Sequence, residues 1–198
     1  RNVGADSPEA YGDYFAWGEV KTKRYYGDQS KYKFISTEPR VYYKYNYRFE
    51  GKGTVLDKLT VLQKDDDAAT KIMGRRWRIP TAEEVDELIN NCVFINYSLN
   101  GTRGYLVTNK YVLSDTLFIP LAGKKDYGNY RMDPATMGYY WTSTLIGEEI
   151  AKIDSIDPRG DMVSKAKAMV FSLNTKSPIV AFIKRNVGCT IRPVSNKN

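Results

Sequence analysis

The chain has 198 residues, with 42% hydrophobic and 27% charged residues and a net charge of +7. That length suits one well-buried domain, and no apolar run approaches the length of a membrane span. Histidine is absent and cysteine occurs only as Cys92 and Cys189. This excludes Ser-His-Asp and Cys-His nucleophile pairs, His-ligated zinc, a thiolate metal cluster and a histidine pH switch. The two thiols are read as buried rather than bridged. No cofactor is expected.

Ser7-Pro8 suits the start of a helical turn, and Tyr14 to Glu19 alternates as a short strand does. Between Lys21 and Lys52 nine Lys/Arg stand against three acids, so this segment carries +6 of the net charge, with seven of the 16 tyrosines. It has little periodicity, and residues 21–62 are predicted to be a long basic excursion over the surface. Tyr25, Tyr26, Tyr42, Tyr43 and Tyr45 would serve there as rigid platforms for sugar rings or protein partners, or pack down as a small core of their own.

Residues 64–74 are predicted as a first helix, capped by Asp65 or Asp66 and closed by Gly74. Three adjacent aspartates resemble a cation site, but their spacing is not that of a calcium loop and capping explains them. Pro80 biases Ile79 to extended backbone, Thr81 and Glu84 form a capping box, and Val85, Leu88, Ile89 and Cys92 share a helix face. Trp77 and Ile79 are expected in the core, and Arg76 and Arg78 at a sheet edge or helix end. The stretch from Gly74 to Cys92 thus reads as the anchor of the fold.

Val93–Ser98 and Arg103–Val107 alternate around Asn100-Gly101, the strongest hairpin signal in the chain. Thr116–Pro120 reads as a strand, 123–138 as a polar loop, Tyr139–Thr144 as a strand, 146–164 as a charged irregular excursion, and Lys165–Leu173 and Ile179–Lys184 as strands. Asn186-Val187-Gly188 turns into a last strand, Cys189–Val194. Two helices followed by short antiparallel strands define an α+β domain with a twisted, mostly antiparallel sheet and long loops. The whole chain, 1–198, reads as one domain.

Asn2-Val3-Gly4-Ala5, Tyr11-Gly12-Asp13-Tyr14-Phe15-Ala16-Trp17-Gly18-Glu19, Asp67-Ala68-Ala69, Trp77-Arg78-Ile79-Pro80-Thr81, Glu87-Leu88-Ile89, Tyr139-Tyr140-Trp141-Thr142-Ser143 and Ile191-Arg192-Pro193-Val194 follow one another in a familiar order. In these words the chain resembles the Fibrobacter succinogenes major paralogous domain family of Bacteroidetes surface and secreted proteins. The resemblance runs from Asn2 to Val194 and is weakest over 21–62 and 146–188. It implies a C-type lectin-like fold, related to the formylglycine-generating (sulfatase-modifying) enzymes, with two helices on a twisted antiparallel sheet and a loop-rich ligand face. The family begins with a strand ahead of Asn2, so this chain is expected to be a piece of a longer one that lacks a secretion or lipoprotein signal. The enzyme branch needs a close cysteine pair near the C-terminus, which Cys92 and Cys189 do not match. The sugar-binding triplets of calcium-dependent lectins, Glu-Pro-Asn and Gln-Pro-Asp, are absent. The same fold carries the variable proteins of diversity-generating retroelements, which would make 142–187 the ligand face.

The function expected is therefore non-catalytic recognition of a glycan or surface protein outside the cell or at its surface, in a gut-type Bacteroidetes bacterium. A structural or adhesin-tip domain is the alternative. Candidate contacts are the five tyrosines named above with Glu148, Asp157, Arg159, Asp161, Lys184 and Arg185. Arg159-Gly160-Asp161 matches the integrin-recognition tripeptide, a match short enough to arise by chance. Glu148-Glu149 and Asp154/Asp157 could pair as glycosidase carboxylates, but nothing in their spacing requires it. Basic residues among tyrosines fit nucleic acid, yet the helix over 81–92 is acidic, and nucleic acid is not the partner expected.

Overall fold

The computed structural model describes residues 1–38, 41–46, 55–112, 114–145 and 165–196. Among these residues it is a mixed α/β structure with two α-helices and several antiparallel sheets, in keeping with an α+β class. Helix α1 (Ala68–Met73) leads through Gly74 into strand β1 (Trp77–Arg78), and helix α2 (Ala82–Asn91) follows. The cap of α1 is Asp67, not Asp65 or Asp66. Its carboxylate accepts the Thr70 N–H at 2.9 Å and the Ile79 N–H at 2.8 Å, tying the helix start to the linking strand. Gly74 closes α1 with φ of 94°. Thr81 and Glu84 complete the capping box of α2, and Glu84 also receives the Arg78 guanidinium at 2.6 Å. Arg78 is thus the helix-end partner expected. Ile79 is buried, whereas Trp77 is only half-buried.

Strands β2 (Cys92–Leu99), β3 (Thr102–Asn109) and β4 (Thr116–Pro120) form one antiparallel sheet in that order. Asn100 and Gly101 turn β2 into β3 with φ of 48° and 81°, the paired positive values that a two-residue hairpin requires. The polar stretch after Gly123 is not all loop. It contains a small hairpin, β5 (Lys124–Lys125) and β6 (Arg131–Met132). Strands β7 (Met137–Leu145), β8 (Lys165–Ser172) and β9 (Ile179–Lys184) make a second three-stranded sheet, with a register shift between Trp141 and Leu145.

Alternation along β7 and β8 divides two cores. Tyr139, Trp141, Ala166 and Ala168 face one, and Tyr140, Met169 and Phe171 face the other. The second core is completed by Val85 of α2 with Phe94, Tyr105, Val107 and Ile119 of the β2–β3–β4 sheet. The first is aromatic and is built from the N-terminal residues, including Phe15, Trp17, Tyr26, Tyr32, Phe34, Tyr42 and Tyr45.

Four expectations are corrected here. Residues 6–10 form bends, not a helical turn. Tyr14–Glu19 is not a regular strand but touches the last segment through a single bridge, Phe15–Cys189. Cys189–Val194 makes isolated bridges, and only Val194–Ser195 (β10) forms a strand, paired with β1. The described part of 21–62 is not all surface excursion, because Tyr32, Phe34, Ile35 and Val41 are buried within it, while Val55, Leu56 and Val61 are exposed. In the two aromatic segments the reason is the same: Phe15, Trp17, Tyr32 and Phe34 are buried in a core completed by residues far away in sequence, and local periodicity does not record that. In the last segment Cys189 and Thr190 bridge instead to Phe15 and Tyr140. Cys92 and Cys189 are both free, the first half-buried and the second fully buried.

Candidate functional site

Of the five candidate tyrosines, the structure buries three. The Tyr26 ring covers Gly188 so closely that a Cβ there would lie 2.7 Å from the ring, and its hydroxyl donates to the Tyr14 carbonyl at 2.5 Å. Tyr42 lies under Arg185, whose guanidinium sits 3.9 Å from the ring centroid. Tyr45 has φ of 57° and is 0% exposed; its hydroxyl donates to Asp66 at 2.6 Å and accepts the Gln63 N–H at 2.9 Å. These three are core, so their reading as open platforms is corrected. Tyr25 and Tyr43 remain exposed, with the Tyr43 hydroxyl donating to the Lys33 carbonyl.

Arg185 is also corrected. It is 1% exposed, lies between the rings of Trp17, Tyr32 and Tyr42, and donates through Nη1 to the carbonyls of Lys44 and Tyr45. It is a cation enclosed by aromatic faces inside the fold. Lys184 is exposed at the end of β9, opposite Lys165. Glu148, Asp157, Arg159 and Asp161 lie outside the described residues.

The basic charge of the N-terminal segment is partly spent within the fold. Lys33 and Lys44 both pair with Asp66, at 2.7 and 2.6 Å, and Lys23 pairs with Glu19 at 2.8 Å. Burial opposes ionisation of Asp66, but hydrogen bonds from Lys33, Lys44 and Tyr45 outweigh it and hold its carboxyl below the usual carboxylate range. Asp67 goes the other way, raised by burial.

What the structure brings together on the surface is a different set. Because Tyr26 points inward, its neighbour Tyr25 points out. Tyr26 and Gly128 exchange backbone hydrogen bonds at 2.9 and 3.0 Å, which seats Tyr25 against the loop between β5 and β6. Gly128 has φ of 93°, and even a Cβ there would reach only to 4.0 Å from Tyr25. On either side of Gly128 stand Tyr127, 77% exposed, and Tyr130, 81% exposed. The loop is held by the Asp126 carboxylate, which accepts the Tyr127 N–H at 3.0 Å, and by Lys125 Nζ, which donates to Asn129 at 2.7 Å. The Arg24 guanidinium lies 5.7 Å from the Tyr25 centroid, and that of Arg131 lies 4.8 Å from the ring of Tyr11.

Tyr127 takes a positive φ of 52°. Left-handed backbone costs a bulky residue about 1–2 kcal/mol. Tyr45 carries the same strain, but burial and two hydroxyl hydrogen bonds offset it. At Tyr127 no such compensation is present among the described residues: the ring stands in solvent and its hydroxyl has no protein partner. Three exposed rings, one of them beside the Arg24 guanidinium, can stack on the apolar face of a sugar ring or a flat protein side chain, and the guanidinium can pair with an acidic group. Sequence reasoning missed Tyr127 and Tyr130 because the segment has no periodicity. The available signal was two tyrosines flanking Gly128-Asn129 in a polar turn, where no core could take them.

No protein-family model, curated protein or solved structure matches this chain.

Proposed function

We propose that this chain is a non-catalytic ligand-recognition module of C-type lectin-like architecture, working outside the cell or at its surface and binding a glycan or a surface protein. The observation that carries the reading is the set of exposed rings Tyr25, Tyr127 and Tyr130, with Arg24 beside Tyr25 and with Tyr127 held in unfavourable backbone and uncovered by packing. Large, rigid, exposed aromatic rings are poor for solubility and good for recognition, since few rotamers are lost on contact. The non-catalytic part of the reading draws support from the thiols. Burial pushes Cys189 far above the ordinary thiol value and raises Cys92 as well, the reverse of what a nucleophilic cysteine needs.

The experiment is binding to glycan and surface-protein arrays by the chain and by its Tyr127→Ala/Tyr130→Ala variant. The expected result is a ligand bound by the parent and lost from the variant, with the thermal unfolding midpoint kept. Equal binding by both proteins, or no ligand at all, overturns the assignment of the patch.

A second reading, a structural or adhesin-tip domain in a surface assembly, is favoured by one other observation. Strand β2 is an edge strand with no charged residue from Cys92 to Leu99, and Val93, Ile95 and Tyr97 are exposed along one face. Such edges add strands from other chains unless they are blunted. Sedimentation that shows concentration-dependent association, abolished by Ile95→Lys, would favour assembly over ligand capture.

A further inference from the structure

Strand β2 reads Cys-Val-Phe-Ile-Asn-Tyr-Ser-Leu, with no charge and no proline. The hydrogen bonds at the ends of its sheet show which backbone groups it offers. The Lys110 N–H donates to the Asn91 carbonyl at 3.0 Å, and the Leu121 N–H to the Arg103 carbonyl at 2.9 Å. Even-numbered residues of β3 therefore bond to β2, and odd-numbered ones to β4. In the observed register the odd-numbered residues of β2 are those held by β3. Cys92, Phe94, Asn96 and Ser98 aim their backbone groups out of the sheet. The Cys92 N–H is already given to the Leu88 carbonyl at the end of α2. The backbone groups of Phe94, Asn96 and Ser98 have no partner among the described residues. They form a row of three N–H and three C=O groups centred on Asn96.

Other edges carry the residues that discourage pairing. Strand β4 ends at Pro120, which has no N–H, and β9 ends in Lys184. Strand β2 has neither device, and its pairing with β3 runs without a register shift. Beside the open row, Val93, Ile95 and Tyr97 stand exposed.

We propose that β2 pairs antiparallel with β2 of a second copy of this chain about a two-fold axis at Asn96, so that two three-stranded sheets become one of six strands. This rests on the assembly reading above and names its partner. The row is its own complement. Asn96 meets the partner's Asn96, and Phe94 and Ser98 meet the partner's Ser98 and Phe94, so all six open groups are bonded. Sliding one strand by two residues would leave some of them unpaired. The same register sets Ile95 against the partner's Tyr97, and Tyr97 against the partner's Ile95, at the closer, non-hydrogen-bonded positions. Pairs of a β-branched and an aromatic side chain are favourable there. The strand itself carries none of the chain's net charge of +7, so two copies meet along it without like charges opposed.

The test is sedimentation equilibrium from about 1 μM to about 1 mM. The mass is expected to rise from 22.6 kDa to twice that and no further. Ile95→Lys and Tyr97→Glu are each expected to weaken self-association at least about tenfold. An equimolar mixture of the two variants is expected to dimerise again, because this register sets the two new charges against each other. Hydrogen exchange of the parent reads the same contact without substitution. The amides of Phe94, Asn96 and Ser98 should slow as concentration rises, while those of Tyr127 and Tyr130 should not. Growth beyond a dimer, a mixture no more associated than either folded variant alone, or exchange at those three amides independent of concentration would overturn the proposal. Association still abolished by Ile95→Lys would then leave the broader assembly reading in place. A parent that stays monomeric throughout overturns both and leaves the tyrosine patch to its own array test. Thermal unfolding of each variant at low concentration checks that it is folded, and the exchange measurement decides if either is not.

Discussion

In the β2–β3–β4 sheet the buried backbone is satisfied by the ladder itself, while in residues 14–46 much of that work falls to side chains. The sheet pairs eight successive residues of β2 with eight of β3 across a tight turn. Among its described residues the aromatic region has no strand of its own. Instead Tyr14 donates to the Ala122 carbonyl, Tyr26 to Tyr14, Tyr32 to Trp17, and the indole of Trp17 to Thr142. Each ring fills core volume with its body and caps a carbonyl with its tip, which phenylalanine could not do. The abundance of tyrosine, which composition alone suggests is a recognition surface, is thus in part the means by which irregular backbone is buried.

That difference can be broken by mutation. The largest effect is expected at Trp17, which is fully buried with its ring edge-on to Tyr45. Trp17→Ala should cost about 3–5 kcal/mol in denaturant unfolding, against under about 1 kcal/mol for Ile95→Ala on the open face of β2. Next comes Tyr32→Phe, which removes a single oxygen and strands the Trp17 carbonyl. A loss of about 1–3 kcal/mol is expected, with Tyr97→Phe in the sheet within about 0.5 kcal/mol. Equal losses for the two tyrosines would dissolve the contrast. Thr81→Ala, which removes a helix cap shared by neither region, should cost about 1 kcal/mol and serves as a calibrating control.

The smallest effect is one of pH. Asp66 ties the aromatic region to the start of α1, and its carboxyl is held below the usual range by Lys33, Lys44 and Tyr45 against the opposing effect of burial. A depressed carboxylate contributes stability that is present above its unfolded value, near pH 4, and lost as pH falls through the folded value. Asp67, raised by burial, contributes in the opposite sense, its share being lost as pH rises through the folded value. Thermal unfolding of Asp66→Asn should therefore show a lower midpoint at neutral pH and a flatter decline on acidification than the parent. The decline that remains belongs in part to Glu84, whose carboxyl is lowered by Arg78.

The regions that sequence made legible are those built by local rules. Thr81 and Glu84 announce α2 within four residues, Asn100-Gly101 announces the hairpin, and the alternation of β8 and β9 is visible directly. Sequence rules place the cap of α1 one or two residues early, because any of three aspartates satisfies them and only contact with Ile79 selects Asp67. The aromatic region was illegible for a physical reason. The partner of the Trp17 indole lies 125 residues away, and that of the Trp141 indole 126. No window along the chain contains both ends of such a bond. The surface patch was half legible: Tyr25 stood among the candidates, whereas Tyr127 and Tyr130 depend on a backbone bridge from Tyr26 to Gly128.

The bridge between Phe15 and Cys189, with Val3 donating to the Ile191 carbonyl nearby, also bears on the order in which the molecule assembles. The helices and the β2–β3 hairpin close over short stretches and can form soon after they leave the ribosome. The aromatic segment is synthesised before its partners, and its carbonyls and rings wait for residues near 140 and 190. During that interval Phe15, Trp17 and Tyr32 are without their final cover, so a segment made before the helices is safe from misassembly and proteolysis only after them.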